Sequence, residues 1–503
     1  MSSTSAAPAR RRWLLPLLLG LATLAVSLPG ITGPSIWYDE AATVVSATRP
    51  LPALWEMVGN VDAVHALYYV VMHALFEVFG YSELLLRLPS AIATGATAAL
   101  VVELGRRLVS LRFGVLAGVA FAVLPRVTWM AIEGRSYALS ALLAVGLTLV
   151  LVLAMRGRAW WWALYGALAL LSVITFIYLA LLVVAHAVTV ALWLLVARRE
   201  AVRGAVLWLV ASGTAALASL PFALEVVSQN GQVGWIPELG DQTWRQVFRT
   251  QWFLYNDLFA WVGWLVLAVA IVLLLRGRRA LVLPAAAGAA PALPAAAVLL
   301  PALVVPTLGL LAMTEFYSPV YSPRYVTMCT PFVALVMAAA IERLLGRVAL
   351  SIALAASLVL AVPEVIDQRD PHSKQNTAWD EISAFLARDI DDPVTTGIVY
   401  GNLKAHSKAS TRVIAYSYPE GFEGTTDVTL ETPAPETGQL WETRRTLTQS
   451  LDRLEGLETV YLVTSISRDR RAATTAALTD EGYELADERR FTDVRVLRYE
   501  KAD

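Results

Sequence analysis

The chain has 503 residues, 57% of them hydrophobic and only 16% charged, with a mean hydropathy of +0.57. Ordinary soluble domains carry about 25% charge, so this composition excludes a soluble globular chain and indicates a polytopic membrane protein. With 40 basic and 41 acidic residues there is no bulk attraction to nucleic acid, and a single cysteine, Cys329, excludes an internal disulfide and a cysteine-based metal cluster.

The first segment, "RRRWLLPLLLGLATLAVSLPG", has the basic start and apolar core of a signal peptide. No small-x-small cleavage site precedes "WYDE", and many spans follow, so it reads as an uncleaved first helix. Apolar windows recur at 14–33, 84–104, 113–132, 138–155, 160–177, 179–197, 205–224, 257–275, 292–312, 326–342 and 348–363. Windows of this length cross a hydrocarbon core of about 30 Å, which predicts about eleven transmembrane helices. Basic clusters at Arg10 to Arg12, Arg106 and Arg107, Arg156 and Arg158, Arg198 and Arg199, Arg276 to Arg279, and Arg343 with Arg347 fall at alternate span ends. The positive-inside rule puts all six in the cytoplasm, with the N-terminus inside and the C-terminus outside.

That orientation makes four loops external: 34–82, the turn Glu133–Tyr137, the segment 228–256 and the turn 315–324. The tail after about Asp367 is external too. It loses the long apolar runs and offers strand-like stretches at 395–401, 459–465, 483–491 and 494–500. Helix-like stretches lie between them at 379–388, 439–454 and 470–481, an order that predicts a small α/β domain. The expected domains are therefore 1–366, a membrane domain with external loop 34–82, and 367–503, an extracytoplasmic α/β domain. No Gly-rich phosphate loop occurs in the tail, and residues 284–301 form an Ala- and Pro-rich low-complexity stretch.

A transporter buries ionisable groups along a path through its spans. Here the span centres are nearly free of charge, and the polar residues gather at the outer ends: Asp39, Glu40, Asp62, Arg126, Glu133, Arg135, Glu225, Asp257, Glu315 and Arg324. Such a distribution suits chemistry at the outer membrane surface. Asp39 and Glu40 follow the first helix directly, where a general base can be aimed at a hydroxyl, although acids there also simply cap or solvate a helix end. The next stretch, 62–80, reads as an amphipathic interfacial helix carrying His65, Tyr68, Tyr69 and His73. In "WMAIEGRSYAL", Glu133 and Tyr137 are four apart, and Arg135 offers a planar fork suited to phosphate. In "FYSPVYSPRYVTM", Arg324 and Tyr325 top a span; the arginine suits a lipid phosphate or a snorkelling anchor equally. His186 lies mid-span and reads as a satisfied core residue. No His/Asp spacing has the form of a metal site, so no cofactor is expected and a divalent metal is not indicated.

Taken together these stretches resemble the C-type (GT-C) glycosyltransferases, the group that includes protein O-mannosyltransferases and the lipid A aminoarabinose transferase. The residues that carry the resemblance are Asp39-Glu40 after the first helix, "HALYYVVMHALFEVFGYSELLLRLPS" (65–90), "GRRL" (105–108), and Pro125, Trp129, Glu133, Arg135 and Tyr137. "SPRYVTMCTPFVAL" late in the chain completes it. The chain departs from the family where Ala66 and Leu67 replace two prolines and where Phe176 stands in place of a histidine.

The resemblance implies a transferase that takes a sugar, with mannose the first expectation, from a polyprenyl-phosphate donor to a lipid, glycan or protein acceptor outside the cytoplasm. Asp39 would be the general base, and Glu40 or Glu133 would orient the acceptor or the base. Arg135, Arg324 and Tyr325 would hold the donor phosphate, and His65, Tyr68 and Tyr137 would position substrate. The competing reading is a non-catalytic membrane scaffold or lipid carrier that binds cell-wall glycan through the external domain.

Overall fold

A computed structural model describes residues 13–276, 293–344, 359–403, 409–469 and 471–502. Contacts divide the chain into two compact units, one of Met1–Pro29 with Arg87–Ile366 and one of Gly30–Leu86 with Asp367–Asp503. The first long loop therefore folds with the C-terminal residues.

The first unit is helical. Seven helices of the described residues are long and apolar enough to cross a membrane: Glu83–Leu108, Tyr137–Arg156, Ile177–Ala197, Arg199–Ser228, Asp257–Arg276, Ala296–Phe316 and Pro323–Leu344. Leu14–Ser27, Leu111–Ala122 and Trp160–Thr175 are apolar but shorter. Most of the predicted span 348–363, together with Arg10 to Arg12, 277–279 and Arg347 of the basic clusters, lies outside the described residues, as does 284–292 of the Ala- and Pro-rich stretch.

Two predicted spans are corrected. The first helix stops at Ser27, before Pro29 and a Gly30 held at φ +66°, rather than running to residue 33. The window 113–132 is two helices, Leu111–Ala122 and Pro125–Met130. Pro125 lacks the N–H that a continuing helix needs and forces Leu124 into an extended conformation, so the chain restarts there.

Helix Thr330–Leu344 packs on Leu111–Ala122 and Asp257–Arg276, and Trp160–Thr175 packs on Tyr137–Arg156 and Arg199–Ser228. Glu103, fully buried near the end of its helix, accepts from Arg106 Nε at 2.7 Å and Arg107 Nε at 2.5 Å, so the charges of "GRRL" compensate one another locally. Where Glu83–Leu108 turns into Leu111–Ala122, the two backbones nearly touch. A Cβ on Gly114 would stand 2.2 Å from the Val102 carbonyl oxygen. Alanine has the better helix propensity by about 1 kcal/mol, but this overlap outweighs it. Gly114→Ala is expected to cost about 1–3 kcal/mol, read as a lowered unfolding temperature in detergent.

The second unit is built on a five-stranded mixed sheet. Its strands are β1 (Thr396–Tyr400), β2 (Thr426–Asp427), β5 (Thr459–Ser465), β6 (Tyr483–Arg490) and β7 (Val494–Lys501), in the order β2-β1-β5-β7-β6; β3 (Leu430–Thr432) and β4 (Thr443–Arg444) pair separately. β1 runs parallel to β2 and β5, whereas β7 is antiparallel to β5 and β6. Alternation sorts the side chains onto two faces. Ile398, Tyr400, Tyr461, Val463, Val494 and Val496 join a core with helices Tyr38–Ala47, Leu51–Val58, Ala66–Phe79 and Trp379–Asp389. Val399, Val460, Leu462, Leu497 and Tyr499 join a second core with Leu478 of helix Arg471–Asp480.

The four predicted strands and the helices near 379–388 and 470–481 are present within a residue or so. The predicted helix 439–454 is not; that stretch holds β4 and two 3₁₀ turns. Its start is bound by tertiary contacts instead, since the Arg49 guanidinium takes the carbonyls of Gln439, at 2.7 Å, and Leu440. Ala66–Phe79 is amphipathic, as its sequence suggests: Tyr68, Tyr69, Met72, His73 and Phe76 are buried while Val71, Val78 and Phe79 stay exposed.

Candidate active site

Asp39 and Glu40 lie in the first turn of helix Tyr38–Ala47, where unpaired backbone N–H groups and the helix dipole favour carboxylates. Their environments differ. Glu40 is fully buried, and the Lys374 ammonium, itself fully buried, donates to Glu40 Oε1 at 2.6 Å. Asp39, one residue earlier and so turned about 100° around the helix, is half-buried.

The segment leading into this helix is fastened to the residues around Lys374. Ser35 N–H donates to the Pro371 carbonyl at 2.8 Å, Trp379 N–H donates to Ser35 Oγ at 2.9 Å, and Ile36 N–H donates to Tyr418 Oη at 2.9 Å. Gln375 and Asn376, next to Lys374, both take left-handed backbone, with φ of 55° and 60°. Glu40 is therefore part of a buried ion pair, which makes it a positioning group and leaves Asp39 as the more accessible of the two acids.

Three other polar residues of this unit are held tightly. Asp62 adopts φ 60° and accepts the Tyr69 hydroxyl at 2.7 Å. His65 and Tyr68 are buried, the His65 ring lying 5.8 Å from Tyr69. His73 Nδ1 lies 3.0 Å from the Ala47 carbonyl. Arg49, at the other end of Tyr38–Ala47, is buried among backbone carbonyls, and desolvation lowers its pKa to about 10, so it stays charged at neutral pH.

In the helical unit, the break at Pro125 creates the turn that carries the next candidates. Glu133 and Arg135 are both buried; Ser90 Oγ donates to the Glu133 carbonyl at 2.6 Å, and Arg135 N–H donates to the same oxygen at 2.8 Å. Arg126 is anchored by the carbonyls of Gln251 (3.0 Å) and Thr250 (2.6 Å), and both Glu133 and Arg324 lie within its electrostatic reach.

Tyr321 donates to Gln251 Oε1 at 3.0 Å, and Thr314 Oγ1 accepts the N–H groups of Val320 and Tyr321. These contacts fix the start of the 3₁₀ turn Pro323–Cys329, on which Arg324 and Tyr325 are half-buried. The Arg324 guanidinium sits 5.5 Å from the Trp235 ring centre. Tyr325 belongs to an aromatic cluster: 5.1 Å from Tyr178, 5.5 Å from Phe176 and 6.4 Å from Tyr137. Phe176, which replaces the family histidine, thus supplies a packing surface.

The structure brings together Tyr137 and Tyr325, and sets Glu133 and Arg324 around Arg126; Asp39, Glu40, His65 and Tyr68 belong to the other unit. Sequence reasoning missed Lys374, which sits in a polar stretch beyond the last apolar window with no periodicity to mark it. It also missed the anchoring of Arg126 by Thr250 and Gln251. His186 is hydrogen-bonded on both ring nitrogens, to Tyr165 Oη and Thr148 Oγ1 at 3.0 Å each. Among the described residues no three His, Cys, Asp or Glu side chains are placed to share a metal ion.

No protein-family model and no curated protein sequence matches the chain. Solved structures do. ArnT from Cupriavidus metallidurans in the apo state superposes with a TM-score of 0.61 at 12% identity, covering 98% of this chain and 98% of that one. The same protein bound to undecaprenyl phosphate gives 0.57 at 13% identity, again over 98% of both chains. The chain has the GT-C fold. It is a polytopic α-helical membrane protein with a strand-containing C-terminal domain, as the motif resemblance implied. The GT-C likeness runs end to end, so the mixed sheet and the first loop are parts of the shared architecture rather than an added module.

Proposed function

We propose that the protein is a membrane glycosyltransferase that moves a sugar, mannose first among the candidates, from a polyprenyl-phosphate donor to an extracytoplasmic lipid, glycan or protein acceptor. The observation that carries this reading is the fold shared with ArnT over nearly the whole chain, one of whose structures holds undecaprenyl phosphate. In this reading the N-terminus is cytoplasmic and the C-terminal domain lies outside, so a lipid carrier rather than a nucleotide supplies the activated sugar.

Asp39 takes the proton of the acceptor hydroxyl. The hydroxyl oxygen then attacks the anomeric carbon, and the carbon–phosphate oxygen bond breaks with its electron pair leaving on the lipid phosphate. Single displacement of this kind inverts the anomeric centre, since a retaining route needs an enzyme nucleophile. Arg135 and Arg324 bind the phosphate, whose negative charge grows as the bond breaks. Tyr325 and Tyr137 line the sugar with aromatic surface, and Glu133 and His65 orient the acceptor. Glu40, neutralised by Lys374, holds the helix that carries Asp39.

The test is sugar transfer by the purified protein in detergent, supplied with radiolabelled polyprenyl-phosphomannose and a membrane lipid extract. Label is expected to appear in an acceptor fraction and to fall by about tenfold or more in Arg324→Gln, which loses a charge-assisted contact. Transfer from another polyprenyl-phosphate sugar alone would replace mannose. Failure with every such donor would overturn the transferase reading.

A further inference from the structure

The second unit contains a cavity of about 470 Å³, separate from the residues assigned above. It opens at the carboxyl ends of the parallel strands β1 and β5: Val399 and Tyr400 with Gly401 and Asn402 come from β1 and its exit, Leu462 and Thr464 from β5. Crevices outside the carboxyl ends of parallel strands are where sheets of this kind bind ligands. The first turns of helix Arg471–Asp480 and the residues 444–448 complete the wall. Gly401 is required for the shape, because a Cβ there would stand 2.3 Å from Thr464 Oγ1.

The lining is chemically one-sided. It holds three arginines, Arg444, Arg445 and Arg471, with five threonines and one asparagine, and not one aspartate or glutamate. Arg471 is compensated by Glu488 at 2.8 Å and Asp469 at 3.1 Å. Arg444 donates to Asn402 Oδ1 at 2.8 Å and to the Gly401 carbonyl at 3.3 Å, neither of which cancels its charge. The Arg445 side chain is exposed, and among the described residues none pairs with its guanidinium.

We propose that this crevice binds a short anionic saccharide, a second carbohydrate site independent of the transferase reading. Its volume is in the range of small-molecule sites. The threonines supply hydroxyl partners for a sugar's hydroxyls, and Leu447, Leu462 and Ala477 offer apolar surface to its C–H face. Arg444 and Arg445 select a carboxylate or phosphate on the ring. The absence of acids from the lining disfavours amino sugars and divalent cations, which need them.

The experiment is calorimetric titration of the full chain in detergent, without donor lipid, using digalacturonate, glucose 6-phosphate, neutral cellobiose and inorganic phosphate. One of the two anionic sugars is expected to bind, which decides between carboxylate and phosphate. Arg445→Gln, at an exposed position, should weaken that binding by about tenfold or more. Ala473→Trp, an exposed helix position at the cavity wall, should abolish it. Asp39→Asn should leave it unchanged, which keeps this site distinct from the transferase. Three results would overturn the proposal: no binding of either anionic sugar at about 10 mM, equal binding by Arg445→Gln and Ala473→Trp, or cellobiose or inorganic phosphate binding as tightly as the anionic sugars.

Discussion

Asp39→Asn is expected to lower sugar transfer by about 10²–10⁴-fold while the unfolding temperature stays that of the parent. The side chain is half-buried at the start of a helix, and the amide is isosteric, so the fold has no reason to respond. What the amide loses is the lone pair that accepts the acceptor's proton. Transfer assays paired with thermal unfolding separate the two effects. Equal activity in both proteins would remove Asp39 from the mechanism and move the role of base to Glu133.

Lys374→Met is expected to act in the opposite sense, on stability first. It strands the fully buried Glu40 carboxylate without its cation, and breaking a buried pair by removing one partner typically costs about 3–5 kcal/mol. Adding Glu40→Gln to Lys374→Met removes the orphaned charge, so the double variant should recover most of that loss. The thermodynamic cycle of parent, two single variants and double variant isolates the pair. A recovered fold with transfer still reduced, through kcat rather than KM, would mark the pair as the support of Asp39. A Lys374→Met variant that unfolds like the parent would show the pair to be dispensable.

The charge network within the second unit explains why Lys374 could not be read in advance. Its partner lies 334 residues earlier in the chain, and an ion pair over that separation leaves no periodic trace in the sequence. The same is true of Arg49. Its guanidinium binds the carbonyls of residues 439 and 440, and a stretch with a plausible helical pattern is held as turns and a short strand instead. Local propensity gives way there because tertiary hydrogen bonds occupy carbonyls that a helix would have used.

Other features were legible because their cause is local. Alternation of apolar residues along 396–400, 459–465 and 494–501 sorts side chains onto two sheet faces whatever lies beyond, so these strands were found where they stand. Apolar windows marked most spans for the same reason. The failure at 113–132 had a local cause as well: Pro125 was visible, and its inability to donate to a helix was not given its weight.

The candidate site divides along the same line. By itself the sequence determined the membrane character, the order of the motifs and the placing of Asp39 and Glu40 at a helix start, since composition, span length and helix polarity act over a few neighbouring residues. Only the tertiary structure decided that the two acids differ, one half-open and one sealed against Lys374. It alone gathered Tyr137, Phe176, Tyr178 and Tyr325 into a cluster and set Arg444, Arg445 and Arg471 around one crevice. Burial and charge pairing depend on which distant segments meet, and that is fixed by packing the whole unit rather than by any stretch within it.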